Sequence, residues 1–190
     1  MIDNHRLSVI VSLYNAEKFI RGFMDNVMEQ QSLEDMQILL LDAQSSDNTA
    51  SIIGEYNHAS LEYVLLKDRL SIYETWNKGI ALSKAPIVSN WNADDRRKFN
   101  SLHTQLCFME ANPEIDVCYG HVAWSHKANE KFEDANTYDL YPCFDVTPHT
   151  MMVNNSPHCM PVWRKSLHER FGLFDLEYPT AADFDFWMRC

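Results

Sequence analysis

Asp42, Asp68 and Asp94 lie 26 residues apart, and each follows a short apolar run: MQILLL at 36–41, LEYVLL at 61–66 and PIVSNW at 86–91. Asp95 adjoins the third aspartate, and Asn92 precedes it by two positions. Carboxylate and amide oxygens are hard ligands, and one or two of them, together with substrate phosphates, can hold Mg or Mn and so neutralise a diphosphate. Asp94 and Asp95 could equally cap a helix beginning near Arg96, because carboxylates accept from the free N–H groups of a first turn. A first apolar run, LSVIVSLY at 7–14, leads into Asn15, so all four runs end in acid or amide. Arg69 and Lys78 could donate to phosphate oxygens, while His158, which opens a run at 158–163, and Arg164, which follows it, could contact diphosphate or metal. A packed histidine and a solvated lysine would read the same way in sequence. GxGxxG, GxxxxGK[ST] and GxSxG are all absent, which removes the glycines of dinucleotide and P-loop phosphate binding and the hydrolase nucleophile elbow.

Such residues meet only if the runs that carry them form one sheet. Phe19, Ile20, Phe23, Met24, Val27 and Met28 recur with helical period after Asn15, which would serve as the cap. The alternation then repeats, with helices expected at about 48–57, 72–83 and 98–111, and strand starts at 7, 36, 61 and 86 separated by 29, 25 and 25 residues. Intervals of that size suit βα units, whose crossovers force parallel pairing, and uninterrupted apolar strands suit a sheet covered on both faces. In an open parallel sheet, ligands bind beyond the carboxyl ends of the strands. After 115 the rhythm changes: 116–126 reads as one strand, 127–150 has no periodicity, and 158–163 reads as a strand before a helix near 164–171. Trp76, Trp91, Trp124 and Trp163 could stack on sugar faces, although core packing would use most of them.

The 190 residues allow one ordinary domain, and 46% hydrophobic with 23% charged residues is globular material. A net charge of -11 argues against a nucleic-acid partner, whose phosphates require clustered Lys and Arg. Five cysteines, odd in number and without a CxxC pair, suggest neither a zinc ribbon nor a disulfide framework and suit a reducing, cytoplasmic compartment. No run has the length of a membrane span, and no signal-peptide cleavage site follows the first one, which leaves peripheral membrane association open. The apolar segment 184–188 reaches the end of the sequence without a stop signal, as a truncated chain would.

Residues 7–15 (LSVIVSLYN), 42–49 (DAQSSDNT), 72–80 (IYETWNKGI) and 92–95 (NADD) resemble, in order, motifs of the family-two, GT-A-fold nucleotide-sugar glycosyltransferases. Residues 174–189 are similar to the family's later acidic motif, where an Asp ahead of a Trp-x-Arg helix is the catalytic base. The resemblance implies a Rossmann-like α/β fold with a mostly parallel sheet flanked by helices. It implies one catalytic domain over 1–190, with a nucleotide-sugar half at 1–115 and a less regular acceptor and base half at 116–190. It places Ser12 and Tyr14 against the base, with Asp42 accepting from it, as the N–H of uracil would require. Asp68, Arg69, Asn77, Lys78 and Asn92 complete the implied nucleotide site. Asn92-x-Asp94 occupies the DxD motif, with Asp94 and Asp95 as ligands of Mn or Mg. Asn92 stands where the family has its first Asp, removing one negative charge from the metal site. Asp183 becomes the base and Asp185 its possible substitute, though either could simply cap the last helix. The implied reaction moves a sugar from a nucleotide diphosphate, UDP in the first instance, to a glycan or other hydroxyl acceptor with inversion. The alternative is a non-catalytic carbohydrate- or nucleotide-binding module of the same fold. A nucleotidyltransferase would want a Gly-rich basic loop where 12–17 stands.

Overall fold

The first apolar run forms β1 (Leu7–Leu13), and its alternating side chains enter two different cores. Leu7, Val9, Val11 and Leu13 pack against α1 (Glu17–Met28) and α4 (Ser101–Ala111). Ile10 faces α3 (Ile72–Leu82) and α7 (Ala182–Arg189). A strand buried on both faces has no need of polar alternation, which is why the run reads as continuously apolar. The computed structural model describes residues 5–135 and 140–190. Residues 1–4, ahead of the expected first strand, and 136–139, within the non-periodic stretch, lie outside the described residues.

β2 (Met36–Asp42), β3 (Leu61–Leu65) and β4 (Ile87–Asn90) follow, and the pairs β1–β2, β2–β3 and β1–β4 are all parallel. Two later strands complete a six-stranded sheet: β5 (Val117–Cys118) and β8 (Val162–Arg164), in the order β3-β2-β1-β4-β8-β5. β8 runs antiparallel to both neighbours, with Ile87 opposite Arg164 and Ser89 opposite Val162. Because it runs backwards, the segment entering β8 emerges on the same edge as the loops leaving the parallel strands. Short helices α2 (Thr49–Ile53), α5 (Pro148–Met151) and α6 (Leu167–Phe171) fill the connections. The α/β architecture with a mostly parallel sheet is the expected one. Among the described residues no helix is long and apolar enough to cross a membrane.

Several local expectations are corrected. The single strand expected at 116–126 is two: β5 pairs with β8, whereas β6 (Val122–Ala123) leaves the sheet and pairs antiparallel with β7 (Leu140–Tyr141). β8 is only three residues long and offers partners to Val117 and Cys118 alone, so the chain turns away at 119–121. The helix expected at 48–57 stops at Ile53, where Gly54 follows, a residue with poor helix propensity. Asn15 is not the cap of α1. It sits at φ 47, its Oδ1 accepts from Ser46 N at 2.8 Å, and the free N–H of Glu17 is taken by Asp47 Oδ2 at 3.0 Å. Nor are the three evenly spaced aspartates equivalent: Asp42 is the last residue of its strand, whereas Asp68 and Asp94 lie in the loops beyond theirs.

Candidate active site

At the carboxyl edge, β1 and β2 end flush, with Leu13 opposite Asp42. Asp42 is fully buried. Its Oδ1 accepts from Ser45 N at 2.7 Å and its Oδ2 from the Tyr63 hydroxyl at 2.8 Å. Burial and that carboxylate raise the Tyr63 phenol above its ordinary pKa, so it stays a donor. The loop after β2 is tied on both sides. Asn15 N donates to Ser45 Oγ at 2.9 Å, and the Gln44 amide donates to the Leu66 carbonyl. Above this floor the Arg69 guanidinium lies over the Tyr14 ring, 3.8 Å from its centroid. Both residues are exposed, as is Asp68, while Ser12 is half-buried opposite Leu41. The result is a flat aromatic and cationic plate beside a fixed loop. Asp42, expected to meet a nucleobase directly, instead fixes that loop, since no part of it reaches the surface.

The loop after β4 is held just as firmly. Arg96 donates to the carbonyls of Ala93, Asp95 and Phe19 at 3.0, 2.8 and 3.1 Å, and Trp91 Nε1 donates to the Asp95 carbonyl at 3.2 Å. Asp95 Oδ2 accepts from Asn92 Nδ2 and from the Cys159 thiol, both at 3.0 Å, leaving Asp94 exposed. Burial and Asp95 raise the Cys159 thiol, which keeps it protonated. The alternative use of Asp94 and Asp95 as caps is not realised, because α4 begins at Ser101 after Asn100. Beneath the loop lies a buried residue that the sequence reading did not single out. Arg97 donates to Ser89 Oγ, the Asn90 carbonyl and the Met160 carbonyl at 2.8, 3.2 and 2.9 Å, bracing the two walls of the site. Desolvation lowers its guanidinium to about 10, so it still carries charge at neutral pH.

These walls enclose a cleft of about 500 Å³ whose lining includes Tyr73, Trp76, Asn92, Asn155, His158 and Asp183. Asp183 lies in the first turn of α7, where Oδ1 accepts from the Tyr73 hydroxyl at 2.7 Å and Oδ2 from Asn155 Nδ2 at 3.0 Å. His158, at φ 29, lies tilted against Tyr141 with ring centroids 4.3 Å apart. Trp91 and Trp163 are core residues, Trp124 is exposed, and Trp76 alone of the four tryptophans singled out lines the cleft. Among the described residues no three His, Cys, Asp or Glu side chains form a ready-made metal cage. An exposed Asp94 beside a half-buried Asp95 does fit the commoner arrangement for Mg or Mn, in which one or two carboxylates are supplemented by substrate phosphates and water.

A sequence profile described as Glycosyl transferase family 2 matches residues 8–171. The chain belongs to glycosyl transferase family 2. It is 23% identical over its whole length to an uncharacterized glycosyltransferase of Methanocaldococcus jannaschii, covering 66% of that protein. It is also 23% identical, over 96% of its length and 68% of the relative, to a PGL/p-HBAD biosynthesis glycosyltransferase of Mycobacterium bovis. Among solved structures, S. aureus TarS 1-349 in complex with UDP-GlcNAc superposes with a TM-score of 0.77 at 18% identity, over 97% of this chain and 52% of TarS. The mannosyltransferase PcManGT of Pyrobaculum calidifontis, in complex with GDP-Man and Mn2+, gives 0.68 at 18% identity over the same shares. The fold is therefore GT-A, and the chain spans about two thirds of the curated relatives' length and half that of the solved ones.

Three residues expected in a family-2 site lie elsewhere or are otherwise engaged. Arg164 stands at the opposite sheet edge, beside Ile87, where it donates to the carbonyls of Ile115, Met109 and Asn112 at 2.9, 2.8 and 3.1 Å and so closes the end of α4. Asn77 clamps the backbone of Phe174, donating to its carbonyl at 2.9 Å and accepting from its N–H at 3.0 Å. Lys78 is exposed on α3. Asp185 pairs with Arg189 at 2.9 Å, and two residues along a helix from Asp183 it points to a different face, outside the cleft. Neither aspartate caps α7, whose first turn follows Ala181. Tyr73, Asn155, Arg97 and Cys159 were missed because nothing local marks them: each acts on a group more than 20 residues away or through backbone carbonyls.

Proposed function

We propose that this family-2 glycosyltransferase takes a UDP-linked sugar and transfers it to a hydroxyl acceptor by a single displacement that inverts the anomeric centre. The observation that carries the reading is the position of Asp183, whose carboxylate shares one cleft with Asn92 of the loop that bears Asp94 and Asp95. A carboxylate so placed takes the proton from an acceptor hydroxyl as that oxygen attacks the sugar from the side opposite the departing diphosphate. The nucleobase rests on the plate of Tyr14 and Arg69, bordered by the loop that Asp42 and Asn15 fix, and the diphosphate runs toward the cleft that His158 lines. A divalent cation, when bound, would be held by Asp94 and Asp95 and would supply positive charge toward the diphosphate. The fold is shared with a UDP-GlcNAc complex, at the higher TM-score, and with a GDP-Man complex, and the former supports UDP as the donor nucleotide.

Titration with UDP, GDP, ADP and CDP, each with and without Mn, tests the donor. UDP is expected to bind best, and preference for another base would overturn the UDP assignment. Asp183→Asn is expected to bind donor as the wild type does and to lose transfer by about 10²-fold or more, in turnover, because the proton moves only in the transition state. A fully active Asp183→Asn enzyme would remove Asp183 as the base.

A further inference from the structure

Resting on the reading of Asp183 as base, we infer that Tyr73 and Asn155 are the residues that aim it, one on each carboxylate oxygen. The three side chains come from separate parts of the chain: Tyr73 from the start of α3, Asn155 from the segment entering β8, and Asp183 from the start of α7. The Tyr73 hydroxyl donates to Oδ1 at 2.7 Å, and Asn155 Nδ2 donates to Oδ2 at 3.0 Å. A carboxylate oxygen has two lone pairs, so each donor fixes its oxygen and leaves room for an incoming hydroxyl. Asp183 itself is only half-buried at a helix start, where its side chain would otherwise rotate.

The aim is only as good as the supports of its donors, and Tyr73 is held on several sides. Tyr73 is buried, edge-on to Trp76 at 5.2 Å and tilted against Phe174 at 6.0 Å. Phe174 is in turn fixed by the two backbone hydrogen bonds of Asn77, and the turn ahead of Tyr73 by the reciprocal cap of Ser71 and Glu74. Burial and the neighbouring carboxylate raise the Tyr73 phenol, so it remains a donor. Asn155 Oδ1 is buried and has no hydrogen-bond partner among the described residues. Its amide therefore gains only from the orientation that turns Nδ2 to Asp183. Both residues are positioning residues, acting on the substrate through Asp183.

The test uses Tyr73→Phe and Asn155→Ala, measured in two ways. Crystal structures of wild type and Tyr73→Phe should show the carboxylate within hydrogen-bond distance of both donors in the first and turned away from its wild-type rotamer in the second. An unmoved carboxylate in Tyr73→Phe overturns the inference. In steady-state transfer, with donor and acceptor drawn from a panel of UDP-sugars and simple glycosides, each variant should lose about 10-fold or more in kcat at unchanged donor KM, as loss of alignment does. In an Asp183→Asn background, Tyr73→Phe should cause no further loss, because the group it aims is gone. If Asp183→Asn is inactive while both variants match wild type, the positioning role falls and the base survives. An active Asp183→Asn removes the base assignment itself, a different failure.

Discussion

Lowering the pH from 7.5 to 4 should cost this protein stability through one histidine. His168, on α6, accepts at Nε2 from the Trp163 indole N–H at 3.0 Å, and its Nδ1 lies 3.0 Å from the Gly172 carbonyl, so the neutral ring donates there. The ring stacks on Phe186 of α7 with centroids 4.5 Å apart. Desolvation, aided by Arg189 and Lys165, lowers its pKa from 6.5 to about 4, against the weaker pull of the Gly172 carbonyl. The unfolded chain thus takes up the proton first, and stability rises with pH between about 4 and 6.5: the contribution is complete above 6.5 and is lost as pH falls through 4. At 1.36 kcal/mol per pH unit, that window amounts to about 3 kcal/mol. Urea denaturation of wild type and His168→Gln at half-unit steps isolates the effect, because every other titrating group is common to both. The difference between the two curves should be flat above pH 7 and should shrink by about 3 kcal/mol toward pH 4. A difference that stays constant across the range would refute the claim that His168 is held neutral.

A Cβ at Gly79 would collide with Ile10 Cγ2 and lie 2.9 Å from its Cγ1, so Gly79→Ala should destabilise by about 1–3 kcal/mol despite its better helix propensity. In an Ile10→Ala background, itself destabilised, Gly79→Ala should cost less in urea melts than it does in the wild type, a non-additivity expected of touching groups. Asn77→Ala removes both bonds to Phe174 and should cost about 1–3 kcal/mol by thermal unfolding while leaving UDP affinity unchanged, whereas a Kd raised tenfold would restore Asn77 to the nucleotide site. Asp94→Ala should abolish the extra UDP affinity that Mn provides in calorimetry without changing metal-free binding, and equal Mn dependence in both proteins would place the cation elsewhere.

The parallel part of the fold was legible because each βα unit announces itself locally: a buried strand is a continuous apolar run, and a covering helix repeats every three or four residues. That was enough to bring Tyr14, the 42–47 loop, Arg69 and the 92–95 loop to one edge. What escaped depended on partners far away in sequence. The cap of α1 comes from Asp47, 30 residues on, so Asn15 looked like the cap from its neighbours alone. Arg164 was misplaced because a three-residue strand carries no sign of its direction, and reversing β8 exchanges the two sheet edges for everything that flanks it. Asp185 and Asp183 differ only in helical phase, which separates a cleft-facing carboxylate from one held by Arg189.

The reversed β8 also has a consequence for how the protein is made. β4 is a fully buried strand whose outer side is closed by residues 162–164. A ribosome that has delivered everything through α4 has made all the parallel strands, yet Ile87, Val88 and Ser89 still present an open apolar margin to any other chain nearby. Such a bare margin is a template for intermolecular pairing, and it stays bare until residues 162–164 fold back onto it. Splitting the gene after residue 115 should therefore yield an N-terminal fragment that aggregates when expressed alone and is rescued by co-expressing the remainder, with Trp163 supplying the missing partner for Val88.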